Sequence, residues 1–275
     1  ARDAFDGLNL MEAIADNRFT EVITAAREKH EPAPQDAAPE PEPIEVPAAP
    51  IAPCAQSRVD AEIAARRAEY ATEVAVPAPT FWGATLIDAL PLSGLRPYLN
   101  THTLYQLHWG YKKQGRSFRE FRAWAKKELD PMLETLIAKC ESEAILVPSA
   151  AFGFWRAVGE GDDVVLFDNG GGKEVARFSL PRQRRGDHVC ISDFLREADS
   201  GETDVIGLQV VTVGQHAADV EREWFLEDRY RDYLYLHGLG VEMTEAMAEY
   251  THKRVREELG FGHQDARDMA KMLKQ

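Results

Sequence analysis

The feature that most constrains this chain is a proline-rich segment near its N-terminus. Between Glu31 and Gln56, eight prolines alternate mainly with alanine and glutamate. Proline fixes φ and lacks a backbone N–H, so such a segment neither continues a helix nor joins a sheet interior. It favours extended polyproline-like conformations. The sequence therefore predicts a semi-stiff acidic linker over residues 31–56, with an independently moving unit on either side.

Helical patterns flank this linker. In residues 1–30, Phe5, Leu8 and Met11 fall on one apolar stripe, which predicts a helix. This helix has too little to pack against alone, so it either closes an upstream domain or decorates the following one. After the linker, residues 57–77 are predicted to form a short, charged lead-in helix ended by prolines.

Composition and charge exclude several classes of protein. The formal net charge of -14 argues against nucleic acid or an anionic membrane as the main partner. No apolar stretch approaches the roughly 18 to 20 residues needed to span a bilayer. The three cysteines form no CxxC pair, which favours a reducing cytoplasm without a disulfide or zinc framework.

After residue 78, turn signals separate short strand patterns in the middle of the chain, and helical patterns lie before and after them. The predicted strands are 81–90, 144–147, 152–159, 164–168, 175–180 and 204–214. The predicted helices are 104–111, 117–143 with an interruption at Asp130–Pro131, 215–236, 240–259 and 264–275. Because 204–214 is continuously apolar, we expect a central strand buried on both faces. The pattern predicts an α+β fold with a central antiparallel sheet flanked by helices.

The sequence contains few residue patterns typical of catalytic or metal-binding sites. The run Gly170-Gly171-Gly172 precedes Lys173 and a strand pattern, so it predicts a hairpin turn rather than a phosphate loop. The eight histidines lack metal-ligand spacing, and no serine or cysteine nucleophile motif occurs. The adjacent Asp162 and Asp163 are predicted to diverge in a solvated loop. We therefore expect neither a catalytic acid or base nor a metal site.

A basic cluster contrasts with the acidic whole. Its members are Lys112, Lys113, Arg116, Arg119, Arg122, Lys126 and Lys127. On a helix that begins near Ser117, Arg119, Arg122 and Lys126 share one face. This face is either simply solvated or a docking surface for an acidic partner.

Five short motifs, separate in the sequence, occur in a characteristic order and spacing. They are Phe81-Trp82-Gly83, Trp109-Gly110, Gly153-Phe154-Trp155-Arg156-Ala157, Pro181-Arg182-Gln183 and Asp204-Val205-Ile206-Gly207. In this respect residues 78–275 resemble the reactivation domain of cobalamin-dependent methionine synthase. The resemblance implies a module that binds S-adenosylmethionine and presents its methyl group for reductive methylation of cob(II)alamin. Residues 1–30 are similar to the closing helix of the upstream cobalamin-binding domain.

The resemblance also indicates two ligand-binding residues. Glu245 matches a glutamate by which a helix of the family binds S-adenosylmethionine, and Asn100 falls where some members place an aspartate. An amide keeps the hydrogen bond of that aspartate but not its charge. Spacing alone predicts an exposed helix face formed by Glu242, Glu245 and Glu249. On this face Glu249 would form an ordinary i,i+4 pair with Lys253. No catalytic residue is implied, because the reduced cobalamin is the nucleophile and the sulfonium carries the electrophilic methyl.

One family segment, Arg-x-x-x-Gly-Tyr-Pro, does not occur in the 275 residues. We therefore expect 78–275 to be a reactivation domain lacking its C-terminal part, inactive by itself and binding S-adenosylmethionine weakly. The implied partners are the cobalamin-binding domain of the same polypeptide and flavodoxin or a similar flavoprotein reductant. The whole enzyme would be a methyltransferase of methionine biosynthesis. The alternative is a non-enzymatic module that docks on or caps a corrinoid protein, or its flavoprotein reductant, without binding S-adenosylmethionine.

Overall fold

The computed structural model describes residues 53–73, 75–170 and 172–265. The α-helices are α1 (Pro53–Glu73), α2 (Leu92–Leu95), α3 (Thr101–Thr103), α4 (Phe118–Glu128), α5 (Asp130–Ser142), α6 (Gln215–Leu226) and α7 (Tyr230–Glu258). A π-helical turn covers Leu104–His108, and 3₁₀ turns cover Arg96–Tyr98, Ile191–Phe194, Ala198–Ser200 and Gly262–Gln264. The predictions for 1–30, for 31–52 of the linker and for 266–275 lie outside the described residues.

The strands form one five-stranded sheet. They are β1 (Gly83–Ile87), β2 (Ser149–Glu160), β3 (Asp163–Phe167), β4 (Glu174–Ser179) and β5 (Asp204–Thr212). Their order is β1-β2-β3-β4, and β5 pairs with β2. The pairs β2–β3 and β3–β4 are antiparallel. The predicted α+β class with an antiparallel sheet and flanking helices is confirmed.

The chain divides into two compact units. One, here the helical unit, comprises the described residues of 84–153 and 207–265. The other, here the sheet unit, comprises the described residues of 53–83 and 154–206.

The core of the helical unit is arranged along α7, a helix of 29 residues. Leu236, Leu239, Met243 and Met247 recur every three or four positions and are fully buried. They belong to the same apolar cluster as residues of α4, α5 and the π turn, including Leu104, Phe121 and Leu133. This packing places α7 in the core of the helical unit.

The predicted break in the final helices is wrong. The sequence suggested an interruption between 236 and 240, yet α7 passes through Gly238 and Gly240 without stopping. The interruption lies instead between α6 and α7, where Asp228 adopts a φ of 58°. Gly238 serves packing: a Cβ there would lie 2.6 Å from the Cβ of His108. Glycine is therefore required for the close approach of the π turn to α7.

Two strand predictions need correction. Residues 144–147 form no strand, since Ala144 turns with a φ of 48° and Val147 donates a single backbone hydrogen bond to Val213, 2.7 Å long. Strand β5 is not buried on both faces, and Val210 is 38% exposed. Among the described strands β5 pairs with β2 alone, so it lies at an edge, where apolar residues remain accessible.

Several local predictions are confirmed. The interrupted helix 117–143 is α4 followed by α5. The glycine-rich turn closes the β3–β4 hairpin, and Asp168 Oδ1 accepts hydrogen bonds from the N–H groups of Gly172 and Lys173. Helix α1 begins at Pro53, earlier than predicted, because proline is well suited to a first helical turn. Residues 53–56, which were predicted to belong to the linker, are therefore helical.

Candidate functional site

A cavity of about 360 Å³ opens in the helical unit. Its lining residues come from the segment before α3, from α3, from the π turn and from α7: Tyr98, Asn100, Thr103, His108, Val241, Glu242, Glu245 and Glu249. The volume lies in the range of small-molecule sites. The cavity combines a few apolar surfaces with several polar groups, as ligand pockets commonly do.

Asn100 lies at the N-terminus of α3, where its side chain caps the helix. Its Oδ1 accepts a hydrogen bond from the Thr103 N–H at 3.2 Å. The cap uses the carbonyl oxygen, so the amide NH₂ group remains a potential donor to a ligand. Beside it, Tyr98 is buried and packs edge-on against Tyr250, with ring centroids 5.7 Å apart. The cap and this aromatic contact hold the wall of the cavity in place.

A buried pair joins the π turn to α7. His108 Nε2 lies 3.1 Å from Glu242 Oε1, and Glu242 is only 5% exposed. Burial raises the pKa of Glu242 above its ordinary value, His108 partly opposes this rise, and the nearby Glu245 adds to it. The cavity therefore contains a carboxyl group whose charge is costly to maintain.

The spacing of α7 brings two further carboxylates to the same cavity. Glu245 and Glu249 follow Glu242 at helical intervals, Glu245 exposed and Glu249 half-buried. Within the described residues neither forms an ion pair, and the predicted Glu249–Lys253 pair does not form. Three carboxylates thus face a cavity whose lining offers one imidazole as a possible cation. Such a pocket attracts positively charged ligands.

The structure brings together the two residues singled out from the sequence, since Asn100 and Glu245 line the same cavity. Sequence reasoning missed His108 and Tyr98, for which no local signal exists. It interpreted Glu242 as part of an exposed face, whereas that side chain is buried against His108. The sequence signal for this site was the recurrence of glutamates every three to four residues. Only the packing of the π turn on α7 shows that these glutamates line a cavity.

The basic face of α4 also belongs to the helical unit. The helix begins after Ser117, whose hydroxyl accepts from the Glu120 N–H while the Glu120 carboxylate accepts from the Ser117 N–H. Phe121 and Ala125 are buried on the inner side. This arrangement leaves Arg119, Arg122 and Lys126 exposed.

In the sheet unit, several of the motif residues have structural partners. Arg182 binds Asp193 through two hydrogen bonds, of 2.6 and 2.7 Å. Arg196 forms a buried ion pair with Asp204 at 3.0 Å. The Arg156 guanidinium stacks on Trp82 at 4.7 Å from the ring centroid. These motifs therefore stabilise the fold of this unit.

Asp162 and Asp163 diverge as predicted, but they are not simply solvated. Asp162 pairs with Arg182 at 2.8 Å, and Asp163 pairs with Arg177 at 3.1 Å. Across residues 53–73, 75–170 and 172–265, no three His, Cys, Asp or Glu side chains are grouped so as to hold a metal ion. The helices in these ranges include none with the length and apolarity to cross a bilayer.

Comparison with known proteins gives consistent matches. Residues 91–275 match the family "Vitamin B12 dependent methionine synthase, activation domain". Methionine synthase of Mycobacterium tuberculosis (strain ATCC 25618 / H37Rv) is 36% identical over 287 residues, covering 95% of this chain and 22% of that protein. Methionine synthase of Mycobacterium leprae (strain TN) is 34% identical over 290 residues, with the same coverage of 95% and 22%. The chain thus spans about a fifth of the length of the curated relatives it matches.

The fold is also similar to that of a solved structure. The crystal structure of the MetH reactivation domain bound to AdoHcy superposes with a TM-score of 0.64 at 20% sequence identity. The match covers 77% of this chain and 68% of that chain. From the family match over residues 91–275, the chain belongs to the family of vitamin B12-dependent methionine synthase activation domains.

Proposed function

We propose that this chain is the reactivation module of a cobalamin-dependent methionine synthase, a cytoplasmic methyltransferase of methionine biosynthesis. The cavity of the helical unit binds S-adenosylmethionine and presents its methyl group for reductive methylation of cob(II)alamin. The observation that carries the proposal is that Asn100 and Glu245, distant in sequence, line one cavity. Membership of the family and the AdoHcy bound to the structural neighbour support it.

The charge of the cavity fits this ligand. S-adenosylmethionine carries a cationic ammonium group and a cationic sulfonium, and the cavity offers the carboxylates of Glu242, Glu245 and Glu249. Glu245 is the most accessible of the three and addresses the cationic portion. The Asn100 amide donates a hydrogen bond to an oxygen of the ligand. A charge-assisted contact of this kind is worth roughly 1.5–3 kcal/mol.

In the methyl transfer, the chain has to bind the ligand and orient it. When bound, the cobalamin supplies the nucleophile, and the sulfonium supplies a methyl electrophile with a neutral thioether as leaving group. No proton moves in this transfer, so no acid or base is required. The role of the cavity is to hold the ligand in one orientation and to stabilise its positive charge until the methyl leaves.

Titration calorimetry with S-adenosylmethionine tests the site. We expect Glu245→Gln to weaken binding by about ten- to a hundred-fold, since the carboxylate is replaced by a neutral amide of the same shape. The matched control is Glu257→Gln, an exposed glutamate of the same helix that lies outside the cavity lining. S-adenosylhomocysteine, which lacks the sulfonium charge, should lose less affinity on the same substitution.

Equal affinities of the Glu245→Gln and Glu257→Gln variants would contradict the role assigned to Glu245. If the unaltered chain did not bind S-adenosylmethionine yet bound a corrinoid protein or its reductant, the docking-module alternative would replace the proposal.

The partners belong to the same proposal. The cobalamin-binding domain of the same polypeptide carries the corrin, and a flavodoxin or similar flavoprotein supplies the electron that reductive methylation consumes. The exposed Arg119, Arg122 and Lys126 of α4 suit an acidic flavoprotein, because this basic face stands out on a chain of net charge -14. Opposite charges speed association and lose effect as salt rises.

Surface plasmon resonance with immobilised flavodoxin tests this face. Reversing Arg119, Arg122 and Lys126 to Glu should slow association by roughly ten-fold or more at low salt. The control is Lys127→Glu, a lysine of the same helix paired with Glu128. An association rate unchanged by the triple reversal would leave the face simply solvated.

A further inference from the structure

Two consecutive arginines attach helix α1 to the rest of the sheet unit. Arg66 donates to Asp193 Oδ2 at 2.9 Å and to the carbonyl oxygen of Asp187 at 2.6 Å. Arg67 donates to Asp193 Oδ1 at 3.2 Å, to Glu197 at 2.6 Å and to the carbonyl oxygen of Gly161 at 2.5 Å. We call these acceptors, on Gly161, Asp187, Asp193 and Glu197, the clasp surface.

Between residues 60 and 70, where its side chains are described, helix α1 has little apolar burial to supplement these bonds. Over residues 60–70 every side chain is exposed or half-buried. Tyr70 contacts Phe194 edge-on with ring centroids 6.1 Å apart, and Phe194 itself is 45% exposed. A helix held in this way depends strongly on electrostatic attraction, which salt screens.

Asp193, at the centre of the clasp surface, also has partners outside α1. Arg182 binds both oxygens of Asp193, and the Cys190 N–H donates to Oδ2 at 3.1 Å. When Arg66 and Arg67 leave, the Asp193 charge is still paired and hydrogen-bonded. Release therefore avoids the large penalty of an unpaired buried carboxylate.

We propose that α1 is a detachable clasp, which docks on residues 154–206 of the sheet unit through its arginine pair and can detach without unfolding them. In the sequence α1 follows the proline-rich segment directly, so docking fixes where that segment joins the sheet unit. Its 21 residues span about 32 Å as a helix. Release of α1 would therefore lengthen the connection between the sheet unit and the residues that precede α1. This inference does not depend on ligand binding by the helical unit.

Hydrogen–deuterium exchange of the 275-residue chain, read by mass spectrometry, tests the clasp. We expect roughly ten-fold or faster exchange of α1 amides at 1 M salt and in the Arg66→Gln, Arg67→Gln variant, because a detached helix frays. Strands β3 and β4 should keep their protection under both conditions. The matched control is Ala64→Gln, at an exposed position of the same helix, which should leave exchange unchanged.

Two outcomes would overturn the proposal. Unchanged α1 protection in the double variant would show that other contacts hold the helix. Loss of protection in β3 and β4 together with α1 would show that α1 is an integral part of the unit. By contrast, Arg182→Gln removes the arginine that stays bound to Asp193 after α1 is released. In this variant the amides of β3 and β4 should exchange faster as well.

Discussion

The two units differ in how many positively charged side chains contact their buried carboxyl groups. In the sheet unit, Asp193 has no exposed side-chain surface and is contacted by three arginines: Arg66, Arg67 and Arg182. In the helical unit, Glu242 is almost as buried, and among the described residues its partner is one imidazole, that of His108. Glu245 and Glu249, beside it, form no ion pair within the described residues. Removing a partner from a paired buried carboxylate is costly, whereas carboxylates that face a cavity without a cation are candidates for binding a charged ligand.

The pKa shifts follow the same division. Burial opposes ionisation of Asp193, but hydrogen bonds from Arg182 and the Cys190 N–H outweigh it and hold the pKa of Asp193 well below its usual range. Burial raises the pKa of Glu242, and His108 only partly offsets this. Ionised Asp193 therefore stabilises the folded state, while ionised Glu242 destabilises it.

The largest expected effect is that of Asp193→Asn. The substitution removes the charge that three arginines share, so the free energy of unfolding should fall by about 3–5 kcal/mol. Urea denaturation measures the loss, and exposed Asp199→Asn is the control, expected within about 0.5 kcal/mol of the unaltered chain.

The Asp193→Asn variant also tests the sign of the pKa shift. In the unaltered chain, the contribution of Asp193 is complete above the ordinary aspartate pKa of 3.8 and is lost as pH falls through the lowered folded value. The variant lacks this loss, so the stability difference should shrink in acid. A difference independent of pH would refute the assignment.

Gly238→Ala should have an intermediate effect, confined to the helical unit. Its new Cβ would lie 2.6 Å from His108 Cβ and 3.2 Å from the Trp109 ring. Pushing the π turn away costs about 1–3 kcal/mol and displaces His108 from Glu242. Thermal denaturation gives the loss, and calorimetry should show weaker S-adenosylmethionine binding. Gly240→Ala is the control, since the nearest atom is 3.6 Å away. Equal behaviour of the two variants would contradict this packing role.

Glu242→Gln should have the smallest effect on stability, with a sign opposite to that of Asp193→Asn. The raised pKa means that Glu242 stabilises the fold fully below its ordinary pKa of 4.5, and that this contribution is lost as pH rises through the folded value. Relative to the unaltered chain, the variant should therefore gain stability as pH rises above 4.5.

The same variant should bind S-adenosylmethionine about three- to ten-fold more weakly at neutral pH, since one carboxylate of the cavity is gone. Chemical denaturation across pH and calorimetry measure the two effects. If the variant lost stability at neutral pH, Glu242 would be a structural residue like Asp193, and the contrast between the units would not hold.

Local signals were sufficient for much of the fold. Ser117 and Glu120 specify the start of α4 through neighbouring hydrogen bonds, and Asp168 with the glycine-rich turn specifies the β3–β4 hairpin. Such features depend on residues a few positions apart, so the sequence displays them directly. The edge position of β5 could not be predicted from the sequence, because the apolar composition of a strand does not indicate which strands pair with it.

For the candidate site, the sequence by itself determined the residue types: an amide at Asn100 and carboxylates at helical spacing from Glu242 to Glu249. Only the tertiary structure decided which of them meet and which are buried. Gly238, in sequence a helix breaker, allows the π turn to contact α7 and sets His108 against Glu242. Burial and long-range packing decide whether a charge is solvated, paired or left facing a cavity, and neither can be read from neighbours in the chain.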